Sequence, residues 1–161
     1  MFCKKTRELK SAGHSLVFVD ESGFSHSMPR TYGYSAKGTR CYGSHDWGAK
    51  GRTNVIGAVI GKDLFVADLF HTNINTTIFS NWVEKCLIPK IPNNSVIVMD
   101  NASFHKGAAM KKSIEEAGHV LIYLPPYSPD LNPIEHKWAE KKAERRRTQI
   151  DMEQLFQIEN M

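Results

Sequence analysis

The sequence predicts an α/β domain in which helices cover a mixed β-sheet. Residues 15–24 (SLVFVDESGF) and 95–104 (SVIVMDNASF) both place four apolar residues directly before an aspartate, as in strands that are buried on both faces. In the predicted order, three or four strands come first, followed by helix, strand, helix, strand and helix. A meander that continues as β-α-β units indicates antiparallel strands extended by parallel ones. The 161 residues suffice for one domain with its own core.

The first half of the chain provides the meander. Residues 1–14 are polar and basic without any periodicity, so we expect a linker or the truncated edge of a longer protein there. A strand is expected at 16–20, and alternating aromatic and small residues predict another at 31–35. β-branched residues flanked by glycine predict a strand at 53–60, which is expected to pair with 64–70 across a short turn.

The second half of the chain alternates helices and strands. The predicted elements are helix 75–87, strand 96–99, helix 106–117, strand 120–124 and a last helix from residue 133 to about 147. Pro89 and Pro92 end the first of these helices, Gly118 ends the second, and Pro133 begins the last. We expect the domain to span residues 15–150, with a C-terminal tail at 151–161.

Composition limits the classes of protein to which this chain can belong. Its three cysteines are odd in number and form no C-x-x-C pair, which favours a reducing compartment and argues against a structural zinc site. No apolar run is long enough for a membrane span, and residues 1–5 lack the apolar core of a signal peptide. We therefore expect a cytoplasmic protein. The net charge of +4 allows a polyanionic partner without requiring one.

Three acidic residues are the candidate catalytic and metal-binding residues. Asp20 and Asp100 directly follow their buried strands, and Glu135 lies at the start of the last predicted helix. If the three converge, each pair at about 4 Å repels by roughly 4 kcal/mol at an effective dielectric constant near 20, so the cluster takes up protons or binds cations. Carboxylate oxygens favour Mg²⁺ or Mn²⁺. Two such ions about 4 Å apart assist in-line displacement at phosphorus, so we expect a site that acts on phosphodiesters.

Each of these acids also has a structural interpretation. An aspartate at a strand end often caps the following turn through its own backbone. Asn132 and Glu135, with Pro133 between them, have the spacing of a capping box. Glu21 follows Asp20 and would point to the opposite face of a strand, although a turn there can rotate it inward. The residues alone leave both ligation and capping open for Glu135.

Two basic segments are candidate DNA-contacting surfaces. The candidates in the last predicted helix are Lys141, Lys142, Arg145, Arg146 and Arg147. The candidates in a glycine-rich segment earlier in the chain are Lys37, Arg40, Lys50 and Arg52. Cations suit a nucleic-acid backbone, and the aromatic residues of the earlier segment suit unstacked bases. A solvated helix face and an ordinary hairpin connection stay open as alternative explanations.

Three segments together resemble the DDE transposases of the mariner-like superfamily, in its bacterial insertion-sequence branch. They are residues 19–24 (VDESGF), 99–106 (MDNASFHK) and 124–135 (LPPYSPDLNPIE), with Trp138 just beyond. The last segment is long and specific, whereas the first alone would be weak. The 34 residues between Asp100 and Glu135 are the spacing typical of that branch. The resemblance extends over about residues 15–147, nearly the whole chain.

The resemblance implies an RNase H-like fold in which Asp20, Asp100 and Glu135 form the triad that holds two Mg²⁺ ions, with Mn²⁺ as a substitute. Such enzymes hydrolyse phosphodiester bonds at transposon ends and then use the freed 3′-hydroxyl to attack target DNA, usually at a TA dinucleotide. We expect a homodimer in the active state. By motif match, Asn101 and His105 are candidates for a place near the metal ions or the DNA backbone.

The resemblance covers only the catalytic part of such a transposase. Full-length members have an N-terminal helix-turn-helix region that recognises the terminal repeats, and residues 1–14 cannot supply one. A separate helix-turn-helix partner is one expectation, and a decayed fragment is another. Two other functions stay open: a catalytically silent DNA-binding remnant that inhibits an intact transposase, and an RNase H-like nuclease that acts in repair or on RNA–DNA hybrids.

Overall fold

The computed structural model of the chain describes residues 2–25, 37, 51–102, 105–126 and 128–157. The strand predicted at 31–35 and the candidate residues Arg40 and Lys50 lie outside the described residues. Within the described ranges, no helix is long and apolar enough to cross a membrane.

The described helices and strands follow the predicted alternation. In chain order they are α1 (Phe2–Ser11), β1 (Leu16–Ser25), β2 (Arg52–Ile60), β3 (Asp63–Phe70), α2 (Thr76–Trp82), β4 (Val96–Met99), α3 (Ala108–Glu116), β5 (Val120–Tyr123), α4 (Ile134–Thr148) and α5 (Met152–Gln157). A π-helical turn, Val83–Leu87, continues α2, and a 3₁₀ turn, Pro129–Leu131, precedes α4. Asn75 caps α2 by accepting a hydrogen bond of 2.9 Å from the Ile78 N–H.

The five described strands form one mixed sheet with the order β3-β2-β1-β4-β5. β1 pairs antiparallel with β2, and β2 pairs antiparallel with β3. β4 pairs parallel with both β1 and β5. The central strand β1 therefore joins the antiparallel half of the sheet to the parallel half, and the predicted mixed sheet is confirmed.

Helices cover both faces of this sheet. On one face, α2 and α3 pack on the inner strands, and Phe79 of α2 shares a core with Val19 of β1. On the other face, α4 and α5 pack against β1 and β2 through a second core that includes Phe24, Trp138 and Phe156. β1 is thus buried from both sides, which is why its apolar run is unbroken.

Two helices lie in segments that were predicted to be a linker and a C-terminal tail. α1 falls within residues 1–14, where Phe2 and Leu9 are seven positions apart and pack against a cluster on β4 and β5. With only these two apolar contacts, the helix leaves little periodicity in the sequence. α5 falls within the expected C-terminal tail and buries Leu155 and Phe156 in the second core.

β1 is longer than predicted. It continues to Ser25, which lies opposite Arg52 of β2, so Asp20 lies in the middle of a strand. The prediction that Asp20 marks the end of its strand is therefore wrong, because pairing with β2 extends β1 through the polar residues that follow. Asp100 does follow the last residue of β4, Met99, as predicted.

Candidate active site

The register of the two central strands brings two predicted carboxylates together. β1 and β4 run parallel, and Val19 pairs with Met99. Asp20 and Asp100 are the next residues on the two strands, so they project from neighbouring positions. One carboxylate oxygen from each of Asp20, Glu21 and Asp100 lies within 4.8 Å of the others.

Asp20 is held in an environment that disfavours its charge. Its residue surface is only 5% exposed, on the side of β1 that faces α4. Burial, followed by the charges of Glu21 and Asp100 and with a smaller contribution from Glu135, raises the pKa of Asp20 to about 8. This carboxyl group therefore keeps its proton at neutral pH until a cation replaces it.

Asp100 has the opposite environment. Its Oδ1 accepts hydrogen bonds from His105 Nδ1 at 2.7 Å and from the Ala102 N–H at 3.0 Å. The hydrogen bond from His105 lowers the pKa of Asp100, although partial burial opposes this effect. The side chain is 44% exposed, so the ionised carboxylate faces the open part of the site.

His105 links Asp100 to Glu21. Its ring is fully buried, and Nε2 lies 2.8 Å from Glu21 Oε2. Burial opposes protonation, but hydrogen bonds to Asp100 and Glu21 outweigh it and raise the pKa of His105 to about 10. With carboxylates at both nitrogens, the doubly protonated ring donates on both sides. The ring also lies against Phe79, with the two ring centroids 4.4 Å apart.

Glu135 reaches the site from the first turn of α4. It lines a cavity of about 440 Å³ together with Asp100, Asn101, Pro125 and Asn132. Its oxygens are not among the carboxylate oxygens that lie within 4.8 Å of one another, and its charge makes the smallest contribution to the raised pKa of Asp20. The structure thus brings all three predicted acids into one region of the molecule.

The start of α4 combines part of the predicted cap with a site residue. Asn132 Oδ1 accepts a hydrogen bond of 3.2 Å from the Ile134 N–H, and the Glu135 N–H donates to the Asn132 carbonyl oxygen at 3.2 Å. Among the described residues, the Glu135 carboxylate forms no reciprocal bond to the Asn132 N–H. The capping box is therefore only half present, and the Glu135 side chain is left for the cavity.

A glycine lets α4 approach the sheet. Gly57 of β2 lies directly opposite Asp20 of β1. A Cβ atom at Gly57 would lie 2.8 Å from Trp138 Cη2, one turn along α4 from Glu135. Because real Cβ atoms do not approach that closely, the indole can lie here only over a glycine. The contact between Trp138 and Gly57 therefore fixes how closely α4, and with it Glu135, approaches the sheet near Asp20.

The candidate DNA-contacting residues divide into three groups. Lys142 and Arg146 line a second cavity of about 300 Å³ that also includes Glu135, so their charges lie beside the carboxylates. Lys141 is only 4% exposed and donates a hydrogen bond of 3.0 Å to the Leu155 carbonyl oxygen. The expectation that Lys141 contacts DNA therefore has to be corrected, because its ammonium group ties α4 to α5.

The other described basic candidates each have a different environment. Arg145 donates a hydrogen bond to the Ser25 carbonyl oxygen at the end of β1. Arg147 is exposed, as is Lys37 in its turn. Arg52 lies across Gly23, where an added Cβ atom would be 2.5 Å from its guanidinium group.

Two residues of the site were not predicted from the sequence as functional. Glu21 was expected to point to the face of β1 opposite Asp20, unless a turn rotated it inward. Its carboxylate contacts His105, which lies 84 positions further along the chain. Gly57 lies in the β-branched run of the predicted strand 53–60, and no role beyond strand formation was predicted for it. The VDESGF segment was a usable signal for Glu21, whereas nothing local marks Gly57 as the contact of a distant tryptophan.

The donor set fits a hard divalent cation. All the clustered ligand atoms are carboxylate oxygens, and Asp20 has no basic side chain among the causes that shift its pKa. A protein that leaves a buried carboxylate without a cationic partner incurs a large desolvation cost unless a proton or a metal ion neutralises it. Oxygen-only donors select Mg²⁺ and Mn²⁺ over softer metals.

Comparison with known proteins identifies the family and the fold. A family model described as DDE superfamily endonuclease matches residues 15–155. The chain is similar to the Mos1 transposase paired-end complex with left transposon end, at 19% identity and a TM-score of 0.67 over 88% of this chain and 45% of that chain. No curated protein matches this chain in sequence.

Two further solved structures show the same likeness. The crystal structure of the Mos1 strand transfer complex has 17% identity and a TM-score of 0.69, over 93% of this chain and 48% of that chain. The structure of the Mos1 transposase catalytic domain and Raltegravir with Mg has 18% identity and a TM-score of 0.59, over 88% of this chain and 68% of that chain. The chain spans about half the length of the first two, and the predicted RNase H-like fold is confirmed.

Proposed function

Because this chain belongs to the DDE superfamily endonucleases, we propose that it is the catalytic domain of a DNA transposase. In this role it hydrolyses phosphodiester bonds at transposon ends and joins the freed strand to target DNA. The observation that supports this proposal most strongly is the convergence of carboxylates from β1, β4 and α4 at one end of the sheet. Acids brought to one region by three separate elements need a proton or a cation to compensate their charge, and a metal ion would meet this need.

We propose that Asp20, Asp100 and Glu135 hold two Mg²⁺ ions, which Mn²⁺ can replace. When bound, the ions supply positive charge to the scissile phosphate and to the attacking and leaving oxygens. Asp20 would have to give up its proton to serve as a ligand, since its pKa of about 8 lies above neutrality. Asp100 is already ionised and is oriented by the His105 and Ala102 donors.

The remaining residues of the site bind and orient DNA. Lys142 and Arg146 lie beside Glu135 and contact backbone phosphates, which positions the strand without selecting a sequence. Asn101 lines the cavity next to Asp100 and is available to a nucleotide there. Recognition of specific transposon ends is assigned to a separate helix-turn-helix half, and the active form is a homodimer on DNA in the bacterial cytosol.

A plasmid nicking assay tests this function. We expect nicking with Mg²⁺ or Mn²⁺ and none with Ca²⁺ or chelator. Asp100→Asn and Glu135→Gln should each lower the rate by on the order of 10³-fold or more, as for other essential catalytic groups. Glu140→Gln is the matched control, because Glu140 lies on the same helix, is 64% exposed and, among the described residues, pairs only with Lys137.

Three outcomes would contradict the proposal in different ways. Full activity in both Asp100→Asn and Glu135→Gln would exclude these residues as ligands. DNA binding that weakens steeply with salt, without any metal-dependent cleavage, would favour the silent remnant. Cleavage confined to RNA–DNA hybrids would favour a repair nuclease.

A further inference from the structure

A chain of hydrogen bonds runs behind the proposed metal ligands, from Glu21 through His105 to Asp100. Glu21 Oε2 lies 2.8 Å from His105 Nε2, and Asp100 Oδ1 lies 2.7 Å from His105 Nδ1. The three residues come from β1, from the segment before α3 and from the end of β4. The proposed catalytic function uses Asp100 but leaves Glu21 without a role.

The bonds made by Asp100 divide its two oxygens. Oδ1 accepts from both His105 Nδ1 and the Ala102 N–H. Oδ2 accepts no hydrogen bond from any residue in the described part of the chain. Two donors on one oxygen fix the rotation of the carboxylate, and the second oxygen is then presented to the cavity that Asp100 shares with Glu135.

His105 is itself held on several sides. Its side chain is 0% exposed, and its ring lies against Phe79. The Tyr123 hydroxyl donates a hydrogen bond of 2.6 Å to the His105 carbonyl oxygen, and the His105 N–H donates to the Ala102 carbonyl oxygen at 3.0 Å. Glu21 fixes the remaining polar atom, Nε2. A ring restrained in this way can transmit a fixed orientation to Asp100.

We propose that His105 is a positioning residue for the metal ligand Asp100, and that Glu21 positions His105 and is not itself a metal ligand. This inference rests on the proposed function, since it assigns Asp100 to a metal ion. Groups that orient a metal ligand from behind are worth about 10- to 100-fold in metal affinity or activity. Glu21 lies near enough to Asp20 and Asp100 to compete for the ion, but its Oε2 is occupied by the imidazole.

Mn²⁺ binding to the full chain, measured by electron paramagnetic resonance of the free ion, tests the inference without any activity. His105→Asn keeps a donor near the position of Nδ1, whereas His105→Gln keeps one near Nε2. We expect His105→Gln to weaken Mn²⁺ binding by about 10- to 100-fold, and His105→Asn to restore much of the affinity. A steady-state assay should show the same order in the Mg²⁺ concentration required for half-maximal nicking.

Two substitutions of Glu21 test the second half of the inference. Glu21→Gln keeps an acceptor for Nε2 and should weaken Mn²⁺ binding less than His105→Gln does. Glu21→Leu removes the acceptor and should match His105→Gln. If Glu21→Gln abolishes Mn²⁺ binding as completely as Asp100→Asn, Glu21 is a ligand and the assignment is overturned.

A core substitution separates positioning from simple loss of stability. Ile114→Val lies in the core that contains Phe79 and does not touch the carboxylates. It should lower the melting temperature without changing the Mn²⁺ dissociation constant. If His105→Gln behaves like Ile114→Val, the positioning role is refuted while the proposed function stands. If the unsubstituted protein binds no Mn²⁺ at all, both proposals fall.

Discussion

The two aspartates at neighbouring positions of β1 and β4 differ in burial, in hydrogen bonding and in the direction of their pKa shifts. Asp20 is buried within β1, faces α4 and has a pKa raised to about 8. Asp100 follows β4, is 44% exposed and has a pKa lowered by its bond to His105. The fold therefore supplies one carboxylate with an internal cation and leaves the other to a proton or a metal ion.

This difference indicates how the site changes when it is loaded. The Asp100 side is organised before any ion arrives, because His105 and Ala102 already fix the carboxylate. Asp20 has no basic side chain among the groups that shift its pKa, so a bound cation would be needed to stabilise its charged form. In the proposed function, the same residue type would serve as a preset ligand at Asp100 and as a proton-linked ligand at Asp20.

The largest expected effect comes from replacing each aspartate by asparagine. Both changes should lower nicking by on the order of 10³-fold or more. In the metal-free protein at pH 8.5, they should have opposite effects on stability. Asp20→Asn removes a buried charge without a cationic partner and should raise the free energy of unfolding. Asp100→Asn keeps an acceptor for His105 but removes the negative charge that pairs with the protonated ring, and should lower the free energy of unfolding. Urea unfolding curves measure both, and equal effects would remove the distinction.

The next largest effect concerns the contact between Gly57 and Trp138, which holds α4 against the sheet beside Asp20. Gly57→Ala places a Cβ atom 2.8 Å from Trp138 Cη2 and should destabilise the protein by about 1–3 kcal/mol. Because α4 must move outward, nicking should fall and the pKa of Asp20 should return toward its usual value, while Asp100 is unaffected. Adding Trp138→Phe should restore part of the stability and activity. Failure of this second substitution to rescue either property would show that the contact does not position α4.

The pH dependence of stability should show the third effect. The pKa of Asp20 is about 8 in the folded state against 3.8 for the free side chain, so the folded state holds an extra proton between these values. Stability should therefore fall as pH rises, by up to about 1.4 kcal/mol per pH unit. Between pH 5.5 and 6.5, most other carboxyl groups have ceased to titrate, but burial lowers the pKa of His119, which adds an opposing rise in stability as the pH approaches 6.5. The difference in slope between the unsubstituted protein and Asp20→Asn should therefore report Asp20.

His105 adds a similar fall at higher pH, because its pKa is raised from 6.5 to about 10. The Asp20→Asn variant should lose the fall in stability below pH 6.5 and keep the one above it, which chemical denaturation at a series of pH values can resolve. Mg²⁺ should flatten the lower slope in the unsubstituted protein. If the fall in stability below pH 6.5 persists in Asp20→Asn, the raised pKa of Asp20 is refuted.

The smallest expected effect is on DNA binding. Lys142→Ala and Arg146→Ala should each weaken binding several-fold and reduce the slope of log affinity against log salt by about one unit. Lys112→Ala is the matched control, because Lys112 is 76% exposed on α3 and pairs with Glu116 there. Fluorescence anisotropy over a range of salt concentrations measures the slopes, and equal slopes in all three variants would exclude α4 as the phosphate-contacting surface.

The sequence predicted the elements whose structure is determined by a local pattern of residues. Unbroken apolar runs located β1 and β4, and helical spacing together with proline and glycine located α2, α3 and α4. Asp100, directly after β4, was found where it was expected. α5 was missed although Met152, Leu155 and Phe156 have helical spacing, because the segment is short.

The parts that the sequence did not predict depend on contacts between distant segments. β1 continues past Asp20 only because β2 pairs with it as far as Ser25. Lys141 lies in a run of charged residues that is typical of a solvated helix face, yet α5 covers it. The link between Glu21 and His105 requires the sheet and the α3 side to be assembled first. Assignment of Glu135 to a ligand role likewise needed the family resemblance, because its local pattern was that of a helix cap.

The continuation of β1 beyond Asp20 has a consequence for how the site can move. Strand pairing on both sides of Asp20 makes that wall of the site stiff, and Asp100 is anchored by two donors. Glu135, by contrast, stands at the beginning of a helix that follows a proline-rich connection. If the proposed function holds, any change in the spacing of the carboxylates during the reaction would have to come from a small displacement of α4, with the sheet as the fixed reference.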